Sequence, residues 1–180
     1  MIIDLLRHGM PIGGKIFRGN TFDDQLSLEG WKQMELSTNG MSWDFIATSP
    51  MKRCKEFAFS LSISSNTAIE VFEDFREIGL GDWEGKSRRE IGIHQINSFK
   101  ANPIANKINN SENVYGFHKR VTNSLKKIID SYSNYDCILV VAHAGVIRSI
   151  KSYMNNLPIE DMFNLEVAPG SLERLYYTKK

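Results

Sequence analysis

The chain has 180 residues, 42% of them hydrophobic and 24% charged, with a formal net charge of +1. This length predicts a single domain over residues 1–180, and the composition argues against disorder. The near-zero charge leaves no global field to recruit nucleic acid or an anionic membrane, so neither is expected as a partner.

Cys54 and Cys137 make neither a disulfide framework nor a metal-type pair, which points to a reduced, cytoplasmic setting. No uncharged apolar stretch is long enough to cross a membrane. No basic segment precedes a long apolar run at the start, so no signal peptide is expected.

In chain order, Ile2-Ile3-Asp4-Leu5-Leu6 is a short apolar run that ends in Arg7-His8-Gly9. Such a run, bounded by glycine, predicts a buried strand. In an open α/β sheet, ligands bind just beyond the carboxyl ends of the strands, where Arg7 and His8 fall. Arginine offers a fork to phosphate or carboxylate, and histidine a nucleophile or proton carrier. Residues 10–20 are rich in Gly, Pro and Asn and read as a loop. A loop there would border the ligand, which makes Arg18 a candidate substrate contact; a solvated arginine is the alternative.

Ser27 is placed to cap a helix with Leu28, Trp31 and Met34 at helical spacing, stopped by Asn39-Gly40. Trp43–Thr48 predicts a second strand. Ser49-Pro50 then reads as a cap and a first-turn proline, with Met51, Cys54, Phe57 and Leu61 on the buried helix face. Arg53 falls in the first turn, off that face, where a helix N-terminus already favours anions.

Residues 70–84 are acidic, and Arg76-Glu77-Ile78-Gly79-Leu80-Gly81-Asp82-Trp83-Glu84-Gly85 predicts a tightly turned loop, functional or simply connecting. Residues 86–110 reverse the balance: Lys86, Arg88, Arg89, Lys100 and Lys107 face only Glu90. With little periodicity, this stretch is either a lid or a solvated helical excursion. Ser111 is expected to cap a helix with Val114, Phe117, Val121, Leu125 and Ile128 on one face. His94 and His118 read as surface histidines.

Cys137–Ala142 predicts a buried parallel strand. It ends in His143-Ala144-Gly145, and a helix with Val146, Ile150, Met154 and Leu157 follows, stopped by Pro158. Phe163–Val167 and Leu172–Tyr177 are expected to be closing strands.

Three strand ends thus deliver Arg7-His8, Arg53 and His143 to one sheet edge. Two guanidiniums suit a tetrahedral dianion, and a neutral imidazole can attack phosphorus. An acid is then needed for the leaving oxygen, and Glu77 is the candidate; carboxylate neighbours in its loop would disfavour its ionisation. There is no phosphate loop, no dinucleotide fingerprint and no zinc-protease motif. A zinc site of His8, His143 and Glu77 is conceivable, but the arginines would repel a cation. No metal and no cofactor are expected.

Arg7-His8-Gly9, Ser49-Pro50 with Arg53, Arg76-Glu77 ahead of Gly81-Asp82-Trp83-Glu84-Gly85, and Val141–Arg148 together resemble the histidine phosphatase superfamily, in its phosphoglycerate-mutase-like branch. The match runs from residue 2 to about 150, in family order. The resemblance implies a three-layer α/β/α sandwich on a mostly parallel sheet, with a lid or insertion at about 84–118. It implies His8 as the phosphorylated nucleophile; Arg7, His8, Arg53 and His143 as phosphate-binding residues; and Glu77 as proton donor. The expected substrate is a small phosphorylated metabolite.

Within the family, the Trp-Glu-Gly loop and the chain length look most like the α-ribazole phosphatases, which act in cobalamin nucleotide-loop assembly. The expected lid and its flanks hold Trp83, Phe99, Tyr115 and Phe117 as stacking candidates for such a base, although Phe117 lies on an apolar helix face. A broad-specificity phosphatase and a mutase are the rival enzymes, and a non-catalytic binding module is the rival outside enzymes. Met10, Pro11 and Gly14 depart from the residues many relatives carry after Arg-His-Gly, and Cys54 replaces a small residue.

Overall fold

The computed structural model describes residues 1–178. Five strands form one sheet: β1 (Ile2–Arg7), β2 (Phe45–Thr48), β3 (Ala68–Val71), β4 (Cys137–Ala142) and β5 (Leu172–Tyr176), in the spatial order β3-β2-β4-β1-β5. All neighbours are parallel except β5, which runs antiparallel to β1. Six helices accompany them: α1 (Leu28–Thr38), α2 (Lys52–Ser65), α3 (Arg88–Ile91), α4 (Ile93–Ala101), α5 (Val114–Ser131) and α6 (Ala144–Met154).

The period of two along β4 divides the core. Ile138, Val140 and Ala142 join Phe117, Val121, Leu125, Ile147 and Ile150 of α5 and α6 in one cluster. Leu139 and Val141 join Met34 of α1 and Cys54, Phe57 and Ala58 of α2 in the other. The sheet therefore carries helices on both faces, the expected α/β sandwich. A parallel strand covered on both faces reads as a continuous apolar run, which is why β4 was legible.

Register brings the strand ends level. Arg7 pairs with Ala142, and Thr48 with Val141. The ladder continues one step past each strand, with His8 N donating to Ala142 O and Ser49 N to Val141 O, both at 3.0 Å. Close backbone packing supports this edge: a Cβ on Gly9 would stand 2.1 Å from the carbonyl oxygen of Gly30 in α1.

Several elements differ from the sequence expectation. The α2 helix begins at Lys52 behind Met51, which makes no side-chain cap. Ser49 and Pro50 lie ahead of that cap, and the Ser49 hydroxyl pairs with His143 while accepting from Met51 N at 3.3 Å. Leu28 is solvent-exposed, and Leu157 lies beyond the end of α6 and is also exposed. Asn113, not Ser111, caps α5, accepting from Gly116 N at 3.0 Å. Ser111 Oγ donates to Ile108 O.

The stretch Phe163–Val167 is not a strand. Residues Ile159–Asn164 form a 3-10 helix that buries Met162 and Phe163. The β1 edge such a strand would need is already filled by β5. Residues 86–110 fold as α3, α4 and turns with Ile91, Ile96, Phe99 and Ile108 buried, so they are not a solvated excursion.

Candidate active site

Arg7, His8, Arg53, Glu77, Gly145 and Arg148 line one end of a cavity of about 440 Å³ at the carboxyl edge of the sheet. His143 sits beneath it, fully buried, with its ring 5.2 Å from that of His8. The strand-end residues predicted to converge are therefore together. Arg53 is in the first turn of α2 as expected and is buried, 1% exposed.

His8 Nδ1 lies 2.8 Å from Gly9 O. A carbonyl can only accept, so Nδ1 carries the proton and Nε2 keeps its lone pair. Burial, with Arg53 and Arg7 nearby, pushes the His8 imidazole well below the ordinary histidine range. Burial does the same to His143, again helped by Arg53. Charging either ring would place an unscreened cation beside two others.

Each arginine is seated by backbone carbonyls. Arg7 donates to Val167 O at 2.6 Å. Arg53 donates through its two terminal nitrogens to Phe22 O at 2.7 Å and Gly19 O at 3.0 Å. Among the described residues, the Nε atoms of both are buried without a partner. A buried charged donor left unsatisfied is costly, so each of these two Nε atoms calls for an acceptor that the described residues do not supply. Burial lowers both guanidiniums, Arg7 to about 10, and both remain cationic near neutrality.

The His143 seat comes from residues far away in sequence. Its Nε2 is 2.7 Å from Ser49 Oγ, and Cys54 Sγ lies 3.6 Å from the same nitrogen while facing Ala142 O at 3.4 Å. The Cys54 departure noted in the sequence thus packs directly on this histidine.

Glu77 accepts from Ile78 N at 2.9 Å and from Gly145 N at 3.1 Å. The second donor is an otherwise free amide in the first turn of α6. The carboxylate neighbours expected around Glu77 are absent. Glu70 turns to Tyr132, Asp74 to Ser124, Asp82 to Asn110, and Glu84 to backbone amides. Its charged neighbours are instead Arg7, Arg53 and Arg148.

Arg18 and Trp83 both line the cavity. Arg18 is no solvated residue: it binds Asp24 at 2.8 Å, Gly14 O at 3.0 Å, and Ile12 O, and so closes the loop 12–24 around its guanidinium. Trp83 stands between Phe17 and Phe99, with centroids 5.6 and 5.4 Å away. Tyr115 is exposed and donates to Glu160, Phe117 is core, and neither lines the cavity. His94 is exposed, but His118 is half-buried and bonded to Ser149 Oγ at 3.0 Å, not a plain surface histidine.

Sequence reasoning missed Arg120. Its guanidinium donates to Asp74 O, Arg76 O and Glu77 O and pairs with Glu112 at 2.7 Å, fixing the main chain around Glu77. No local pattern marks it, since it is one more charge on the polar side of α5. Among the described residues, no group of three or more His, Cys, Asp or Glu side chains is arranged to hold a metal ion. No helix among them is long and apolar enough to cross a membrane.

This constellation on this fold defines a phosphate-handling hydrolase. The chain belongs to the histidine phosphatase superfamily, branch 1, whose family model matches residues 3–180, and it is a phosphatase. It is 26% identical over 167 residues to a Hydrogenobacter thermophilus protein whose name provisionally assigns it as phosphoserine phosphatase 2, covering 89% of this chain and 81% of that one. It is 23% identical over 146 residues to the adenosylcobalamin/α-ribazole phosphatase of Escherichia coli, covering 79% of this chain and 71% of the other. The α-ribazole phosphatase structure from Shigella flexneri superposes with a TM-score of 0.81 at 22% identity, over 99% of this chain and 92% of that one. A mycobacterial glucosyl-3-phosphoglycerate phosphatase superposes with a TM-score of 0.85 at 19% identity, over 96% and 88%. The two superpositions show a shared fold.

Proposed function

We propose that this phosphatase works through a phosphohistidine on His8 and that α-ribazole 5′-phosphate is its substrate. The unprotonated His8 Nε2 attacks phosphorus as the ester P–O bond breaks. Glu77 delivers a proton to the departing oxygen. Water then attacks the phosphohistidine, Glu77 takes a proton from it, and phosphate leaves with His8 neutral again. Arg7, Arg53 and His143 hold the phosphoryl oxygens throughout, as positioning and charge stabilisation demand in phosphoryl transfer. The segment 84–118 acts as a cover over this site within one domain.

One observation carries the substrate reading. Phe17, Trp83, Phe99 and Phe163 form a continuous row of rings along the cavity wall, each within 5.6 Å of the next. Phe17 and Trp83 are the half-buried members of the row, backed by buried Phe99 and Phe163, and offer a flat aromatic base a stacking surface that a short phosphorylated acid cannot use. The similarity to α-ribazole phosphatases supports the same reading.

Parallel steady-state assays with α-ribazole 5′-phosphate, 3-phosphoglycerate and phosphoserine test it. The first should show the highest kcat/KM, and Trp83→Ala should lower that value about 5- to 150-fold, the range for loss of one base–aromatic stack. Equal or better turnover of either small acid would make this a broad-specificity phosphatase. An isomerised product in place of free phosphate would make it a mutase.

A further inference from the structure

Glu84 follows Glu77 in the same segment, yet its carboxylate does not line the cavity. It turns beneath the loop 19–22. One oxygen accepts from Leu80 N at 2.8 Å and Asn20 N at 3.3 Å, and the other from Thr21 N at 3.2 Å. The fit is close: a Cβ on Gly19 would fall 1.8 Å from that first oxygen, and Gly19 has φ +53°, so glycine is required on both counts.

The two carbonyls that flank these amides are the ones that seat Arg53. Gly19 O and Phe22 O accept from its two terminal nitrogens, leaving Nε buried and unpartnered. The orientation of the Arg53 guanidinium is thus decided by a loop, and that loop is fastened to the Glu77 segment by Glu84. Backbone bonds between Phe17 and residues 85–86, both 2.8 Å, anchor the loop further back, at its entry. Carboxylate-to-amide bonds are stronger than neutral ones, so the Glu84 bridge is the stiff part of the connection.

We infer that Glu84 is a positioning residue for phosphate binding: it bridges Leu80 to the loop 19–22 and thereby holds the carbonyl seats that aim Arg53 at the phosphoryl group. The inference rests on the reading of Arg53 as a phosphoryl ligand. A brace that merely stabilised the fold would weaken phosphate binding, if at all, whether or not Arg53 were present. A positioning residue acts only through Arg53.

The test is a double-mutant cycle read as the dissociation constant of inorganic phosphate, followed by phosphorus NMR so that turnover is not needed. Glu84→Gln keeps the volume but sets an amide NH2 against backbone N–H donors. It should weaken phosphate binding about tenfold in the otherwise native protein, the size of one lost charge-assisted bond. In an Arg53→Ala background the same change should cost less than about twofold, within the usual additivity error. Equal weakening in both backgrounds, or none in either, overturns the inference. Arg53→Ala that binds phosphate as the native protein does would instead refute the role of Arg53 itself. Should Glu84→Gln not fold, Glu84→Asp keeps the charge with a shorter reach, and the same cycle with it decides the matter.

Discussion

His8 and His143 meet edge to face, with planes inclined at 63° and centroids 5.2 Å apart, although they are 135 positions apart in the chain. The parallel pairing of β1 with β4 puts them side by side. Burial, helped by the arginines beside them, pushes both imidazoles well below the ordinary histidine range and so favours the neutral ring a nucleophile needs.

The acid limb of activity should therefore lie below the ordinary histidine range. In a profile of kcat/KM corrected for the substrate's own ionisation near pH ~6, no loss from imidazole protonation should appear between pH ~8 and ~6. An enzyme group titrating near pH 6.5–7 would contradict the burial argument. His8→Ala should form no acid-labile phosphoenzyme, whereas a phosphoenzyme surviving there and lost in His143→Ala would reverse the two roles.

The same rings make stability pH-dependent. Their folded values lie below the unfolded value of about 6.5, so the unfolded chain binds more protons once the pH drops below that point. The contribution is fully present above about 6.5 and drains away as the pH falls toward the lowered folded values. The urea midpoint, measured without phosphate, should fall between pH ~7.5 and ~5.5. His143→Gln should flatten that slope, and an unchanged slope would place the titration elsewhere.

Glu77 and Gly145 should behave as a pair. Glu77→Gln should slow an alkyl phosphate far more than p-nitrophenyl phosphate, whose leaving group needs little help; general acid catalysis contributes about 10²–10⁴-fold. A Cβ at Gly145 would stand 2.3 Å from the Glu77 carboxylate. Gly145→Ala should thus reproduce the same leaving-group dependence with Glu77 intact. Equal losses on both substrates would assign Glu77 a structural role.

Cys54 should be chemically silent in the native protein. It is fully buried, and burial pushes its thiol far above the usual range. A disulfide reagent at pH ~8 should leave it unmodified until the chain unfolds, since only the thiolate reacts. Peptide mapping of the labelled protein checks this, and rapid labelling of Cys54 would show that the His143 seat opens to solvent.

Gly9→Ala should destabilise the fold by about 1–3 kcal/mol, the ordinary range for overpacking, and more if α1 cannot retreat. The cause is the carbonyl of Gly30, which a methyl group at position 9 would strike. A urea midpoint equal to that of the native protein would show that α1 moves freely against the site edge.

Much of this architecture is written locally. The run Cys137–Ala142 declares a doubly covered parallel strand because every residue must face apolar neighbours. The α5 helix declares itself by the spacing of Val114, Phe117, Val121, Leu125 and Ile128, all buried. Arg7-His8, Arg53 and His143 were legible as a group because parallel strands deliver their carboxyl ends to one edge.

The tertiary structure decided what depends on partners. Ser49 looked like a helix cap, but α2 starts later, at Lys52, and the hydroxyl pairs with His143, 94 positions away. Arg53 was placed at a helix N-terminus by its position, but its orientation waited on the loop 19–22, whose carbonyls seat its guanidinium. Phe163–Val167 looked like a strand, but β5 already occupied the only edge of β1 open to it. The acidic neighbours of Glu77 in sequence became arginines in space, and Glu84, seven positions on, became a bridge between loops. Periodicity is set by neighbours within a few residues, and the sequence by itself determined that. A hydrogen bond or charge contact between side chains dozens of residues apart is set by where the whole sheet places them, and only the folded chain decides that.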